Sequence, residues 1–195
     1  MRTSLIISFV TVALAMATGR PARVAEAAHA SSTTGRTTVY SDTRYHYTVA
    51  YPSAWSVQRH IPMYVRALKH LSRVGVGLES PDHNAWMLAV VGRGAYSPTR
   101  LRVLEHDALT QMVQTAPFGI TYTSGTLNGV RYQIAHTYGS WYDDGNHIAI
   151  ADQIVMAMSR GPYTYVFAVS VKLHTSSTSV ESAQARSLIA SLVVR

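Results

Sequence analysis

Seven consecutive residues, Trp141-Tyr142-Asp143-Asp144-Gly145-Asn146-His147, bring together two carboxylates, an imidazole, an amide and two aromatic rings. Carboxylate oxygens in such a run could hold a hard cation, and the faces of Trp141 and Tyr142 could stack on a sugar or a cationic ligand. Trp141, Tyr142, Asp143, Asp144 and His147 are therefore the expected ligand-binding residues. The two acids are adjacent, however, where a calcium loop places its ligands on alternate positions. A solvated hairpin loop closed by Asp144-Gly145 is the competing reading. A second concentration of charge, Arg59, His60, Arg66, Lys69, His70 and Arg73, lies within fifteen positions. Arg59, Arg66, Lys69 and Arg73 are the expected contacts to an anionic surface, against the solvated face of an ordinary amphipathic helix.

Catalytic signatures are missing from the rest of the chain. There is no Gly-x-Ser-x-Gly elbow, His-Glu-x-x-His, P-loop or Gly-x-Gly-x-x-Gly, and the lack of cysteine excludes a thiol nucleophile. None of the histidines after the first thirty residues has a second at the i, i+2 or i, i+4 spacing that makes a local metal site. His46 is expected on the less aromatic face of a strand with Thr48, and His136 beside Tyr132, Ile134 and Tyr138, each as a packed or surface side chain. No catalytic, cofactor or metal site is expected, although a serine–histidine–aspartate set assembled from distant residues leaves no local signature.

The elements that would position these groups follow from periodicity. Tyr45, Tyr47, Val49 and Tyr51 fall on one side of a strand, and Pro52 ends its ladder so that Trp55 can fold back. Tyr64, Ala67, Leu68 and Leu71 predict a short helix. Val74 to Glu79 and Ala85 to Val91 predict two strands joined through Ser80-Pro81. Ser97 as N-cap and Pro98 open a helix with the stripe Leu101, Leu104, Ala108 and Met112, ended by Pro117. Asn128-Gly129 marks a hairpin between Tyr122–Leu127 and Val130–Tyr138. The connection Gly139–Asn146 leads to a strand over Ile148–Met158, whose apolar face Asp152 interrupts. Tyr163 to Val171, apolar on both faces, predicts a central strand. Thr178-x-x-Glu181 opens a last helix with the stripe Val180, Ala183, Leu188 and Leu192. Trp55, Tyr47 and Phe167 are expected to share one core with the Leu101 to Met112 stripe.

Arg2 and the apolar run Leu5 to Ala17 read as a secretory signal peptide over residues 1–30, cleaved after Ala30 or Ala17, with an uncleaved anchor as the alternative. Residues 31–38 read as a flexible leader and 39–195 as one domain, long enough to fold without disulfides. The chain carries 17 Lys plus Arg against 10 Asp plus Glu; without Arg2, Arg20, Arg23 and Glu26 the balance is 14 against 9, or +5. That charge suits anionic polymers or lipid headgroups through long-range attraction and does not by itself make a nucleic-acid binder.

The strand ending in Tyr51-Pro52-x-x-Trp55, the middle helix, the run of antiparallel strands and the closing helix before Ser191-Leu192-Val193 resemble the PsbP-like superfamily over about Val39 to Val194. That superfamily includes the extrinsic PsbP subunit of photosystem II, Ran-binding Mog proteins and many exported bacterial proteins of unassigned role. The resemblance implies an α+β fold, an α/β/α sandwich around a mainly antiparallel sheet, usually without catalysis, and it transfers no shared set of site residues. The expected function is thus an exported, non-catalytic binding or assembly module. Its partner would be a protein or small ligand of the cell envelope or exterior, or an anionic polymer or membrane surface, and not a nucleic acid. The alternatives are a secreted hydrolase without a recognised motif and an extracytoplasmic metal- or anion-binding protein. A pocket gathering nucleophile, base and orienting acid would favour the hydrolase.

Overall fold

Alternating burial along Tyr47–Pro52, with Tyr47, Val49 and Tyr51 inside, is what the period-two pattern demands of a strand covered on one face. The computed structural model describes residues 36–58, 66–71, 75–112, 119–142, 148–173 and 178–195; the side chains of residues 66, 69, 140–142, 148–149 and 178–182 are outside that description. The Tyr47–Pro52 strand, β2, lies between β1 (Thr37–Asp42) and β10 (Val193–Val194) in a three-stranded antiparallel sheet. Thr37 and Thr38 pair with Pro52 and Tyr51, so the ladder begins two residues inside the segment read as leader. The Trp55 amide donates to the Pro52 carbonyl at 3.0 Å, and the indole is buried as the Pro-x-x-Trp reading requires. His46 does not join the strand. It occupies the turn before it with φ 56°, while Asp42 Oδ1 accepts from the amides of Arg44 and Tyr45.

The larger sheet has seven strands in the order β3 (Ser56–Gln58), β4 (Gly75–Glu79), β5 (Ala85–Arg93), β9 (Tyr163–Leu173), β8 (Ile148–Arg160), β7 (Val130–Tyr142) and β6 (Thr121–Leu127), all neighbours antiparallel. β9 is central and buried along most of its length, as its apolar composition requires. Asn128 and Gly129 both take positive φ, 51° and 79°, which gives the β6–β7 hairpin a tight turn matched to strand twist. β7 and β8 run further than periodicity predicts: Trp141 pairs with Ala149 and Tyr142 with Ile148, which shortens the expected Gly139–Asn146 connection.

One face of this sheet is covered by α1 (Arg66–Leu71) and α2 (Pro98–Met112), the other by α3 (Thr178–Ala190) and the three-stranded sheet. The result is an α+β sandwich with two cores. Leu101, Ala108, Leu109 and Met112 pack with Leu88, Val155 and Val166 on one side; Trp55, Tyr47 and Phe167 pack with Met87, Met156, Leu188 and Leu192 on the other. The expectation of one shared core is therefore corrected. Successive side chains of β5, β8 and β9 point to opposite faces, so the sheet separates the two groups.

The Ser97 hydroxyl accepts from the Arg100 amide at 3.3 Å and caps α2, which also buries Glu105 among its apolar residues. The α1 amide of Ala67 donates to Gln111 Oε1 at 2.8 Å, tying the two helices together. In α3 the inward residues are Ala185, Leu188 and Ile189, followed by Leu192; Ala183 is exposed. No described helix is long and apolar enough to cross a membrane.

Candidate functional site

Seven strands make a sheet wider than α3 and a three-stranded sheet can cover, and the shortfall lies over β6, β7 and β8. On the α3 side, the even-numbered residues of β7 and β8 should fill a core. Tyr132, Ile134 and His136 are instead only half-buried, while Tyr138 and Ile150 are 39% and 47% exposed. On the other face β6 is held to α2: the Tyr122 hydroxyl bonds His106 Nδ1 at 2.8 Å, and the Arg102 guanidinium stacks 4.2 Å from the Tyr122 ring centre. β6 is thus anchored from the α2 side.

What remains open is a groove of about 360 Å³. Its walls are Leu127, Tyr132, Ile134, Ile154 and Met156 from the strands and Ile189 and Ala190 from α3. Arg186, Ile189 and Ala190 are spaced i, i+3 and i+4 and so share the helix face that overhangs the sheet. Gly125 leaves room for the Tyr132 side chain of this wall, since a Cβ there would stand 2.5 Å from the Tyr132 hydroxyl oxygen. The polar lining is Thr121, Thr123, His136 and Arg186.

His136 is the fixed polar group of this groove. Its Nε2 lies 2.7 Å from Oδ1 of Asp152, a fully buried residue, while the His136 side chain retains 25% exposure. A buried carboxyl group needs a hydrogen-bond partner, and the imidazole supplies one through Nε2, which leaves Nδ1 for another group. Tyr138 packs edge-on against the ring at 5.1 Å and restricts its rotation. Asp152 Oδ2 is buried without a hydrogen-bond partner. The arrangement can accept from or donate to a bound molecule at Nδ1. It supplies a base and its orienting acid, but among the described residues no hydroxyl is hydrogen-bonded to His136.

The opposite face hides a second carboxyl. Glu105 of α2 is fully buried against β8, where its Oε1 accepts from the Ala157 amide at 3.1 Å and its Oε2 has no partner. Burial pushes its pKa up to about 8, opposed by that hydrogen bond and by the Arg102 charge. It belongs to the packing between α2 and β8.

Of the expected ligand-binding residues, Trp141 and Tyr142 form the end of β7, while Asp143, Asp144 and His147 lie outside the described residues. Arg66 and Lys69 sit in α1, and Arg59 and Arg73 lie outside the described residues. No group of three or more metal-ligating side chains occurs among the described residues. His136 and Asp152 are each conspicuous in the sequence, but their pairing depends on strand register. The β7–β8 register places His136 opposite Ile154, with Asp152 two positions along on the same face. Arg186 and Ile189 carried no local signal, because only the packing of α3 brings them over the sheet.

Neither protein-family models nor curated protein sequences yield a match to this chain. Solved structures do. Cyanobacterial PsbP (CyanoP) from Synechocystis sp. PCC 6803 superposes with a TM-score of 0.55 at 12% identity, over 82% of this chain and 92% of that one. The fold is PsbP-like. The Ran-binding protein Mog1p of Saccharomyces cerevisiae gives a TM-score of 0.51 at 7% identity, over 82% of this chain and 96% of its own. At these identities the likeness establishes the PsbP/Mog1-like fold and leaves the site to be argued from this chain's own residues.

Proposed function

We propose that this chain is an exported, non-catalytic binding module of PsbP-like fold whose ligand sits in the groove between β6–β8 and α3. The observation that carries the reading is the groove itself: about 360 Å³, mostly apolar, with few polar groups, of which His136 is held in place, which is the usual character of a small-molecule site. A rigid antiparallel sheet forms its floor, so binding need not order the backbone. Export is supported by Arg2, the Leu5–Ala17 run and the small residues after it. The uncharged fluorophore N-phenyl-naphthylamine should bind with enhanced emission, and Ile134→Trp, which fills the groove, should abolish the signal. Equal emission from parent and variant would refute the reading.

A hydrolase is the second reading, favoured by the Asp152-held imidazole. Turnover of p-nitrophenyl esters, lost in His136→Gln, would establish it. Two further contacts belong to the proposal as expectations of the sequence: Trp141, Tyr142, Asp143, Asp144 and His147 as a supplementary ligand or cation site, and Arg59, Arg66, Lys69 and Arg73 as a weak attachment to anionic surfaces of the envelope.

A further inference from the structure

We infer that the occupant of the groove is an amphiphilic carboxylate, a molecule with an extended apolar body and a single carboxylate head. This rests on the groove being the ligand site and goes further by naming the ligand's chemistry. The apolar part follows from Leu127, Tyr132, Ile134, Ile154, Met156 and Ile189, which line the floor and overhang continuously. The five residues of β7 from Tyr132 to His136 span roughly 13 Å, a run that suits a chain and exceeds a compact ring.

The charge of the head follows from the imbalance of the lining. Arg186 stands on the overhanging face of α3 and makes no ion pair among the described residues. β6 and β7 contain no acidic residue at all. The acid of β8, Asp152, is engaged by His136 beneath the groove, and that of α3, Glu181, lies more than a turn before Arg186. Among the described residues the groove therefore presents one guanidinium without an ion-pair partner, beside an apolar track. A guanidinium is a planar fork that meets a carboxylate through two parallel hydrogen bonds, whereas it gains little from an alcohol or an amide. The hydroxyls of Thr121 and Thr123 add neutral polar contacts on the opposite wall.

Calorimetric titration of the purified protein with dodecanoate and with dodecanol, both below their aggregation limits, tests this. Dodecanoate should bind the parent at least tenfold more tightly than dodecanol. Arg186→Gln should weaken dodecanoate about tenfold and leave dodecanol unchanged, and Arg186→Lys should recover part of the loss. Matching affinities for the two compounds, or an Arg186→Gln protein that binds dodecanoate like the parent, would overturn the carboxylate assignment while leaving the groove as a site for apolar molecules. Absence of binding by both compounds together with no binding of N-phenyl-naphthylamine would overturn the site and the inference alike. Circular dichroism melts of both variants should match the parent, because Arg186 is exposed.

Discussion

Replacing Glu105 by Gln should make the protein more stable at neutral and alkaline pH and should remove most of one titration from its stability profile. The fully buried carboxyl has its pKa raised from the ordinary 4.5 to about 8, chiefly through loss of solvation. Below pH 4.5 both folded and unfolded chains hold the proton, and the fold keeps its full stability. Between 4.5 and about 8 the unfolded chain has released it while the folded chain has not, so stability falls as pH rises, by about 1.4 kcal/mol per unit. Over the window the loss is roughly 3 to 5 kcal/mol, or on the order of 10 °C in melting temperature for a domain of this size. Gln keeps an oxygen for the Ala157 amide and carries no charge at any pH. Urea unfolding of parent and variant at half-unit steps from pH 4.5 to 9 isolates Glu105, since the other titrating groups are common to both. The difference in unfolding free energy should grow with pH and level off above 8. A difference independent of pH would mean that the carboxyl is ionised in the fold at neutrality and that desolvation does not dominate its surroundings.

Other expectations are more local. Trp55→Ala should cost roughly 3 to 5 kcal/mol, because the indole is 7% exposed and its removal opens a cavity under the β2 turn; a melting point within a degree or two of the parent would remove it from the core. Sedimentation with anionic vesicles should weaken as salt rises, since screening acts over about 8 Å at physiological ionic strength, and should weaken in the triple alanine variant of Arg66, Lys69 and Arg73; unchanged binding would acquit the basic segment. Any calorimetric heat with calcium, manganese or zinc should disappear in Asp143→Asn with Asp144→Asn, and unaltered heats would leave that segment a plain connection.

Much of the framework was legible because it is encoded locally. Ser97-Pro98 and Asn128-Gly129 each fix a backbone geometry that few other residues accept, and Tyr51-Pro52-x-x-Trp55 specifies both the end of a ladder and the ring that covers it. The division into two cores was not legible. Period-two alternation shows that Met156 and Val155 point to opposite faces, but not that α3 covers one and α2 the other. The α3 stripe was misread at Ala183 for the same reason: alanine marks a face weakly, and Ala185 and Ile189 turn inward only because β9 and β8 lie there. The groove lies one level further from the sequence. It arises from a mismatch between sheet width and cover, a property of assembled layers that no residue type records, and His136, Asp152 and Arg186 come together around it only once the strands are in register and α3 is packed.

The central claim, that the α3-side groove is where a ligand binds, is tested most directly by following backbone and side-chain resonances as N-phenyl-naphthylamine is added to the isotopically labelled protein. Saturable shifts should centre on Leu127, Ile134, His136, Ile154, Met156 and Ile189, with Leu88, Leu101 and Leu109 on the far side of the sheet unmoved. Shifts clustered around α1 or the Trp141–His147 segment, with Ile134 and Ile189 unaffected, would contradict it.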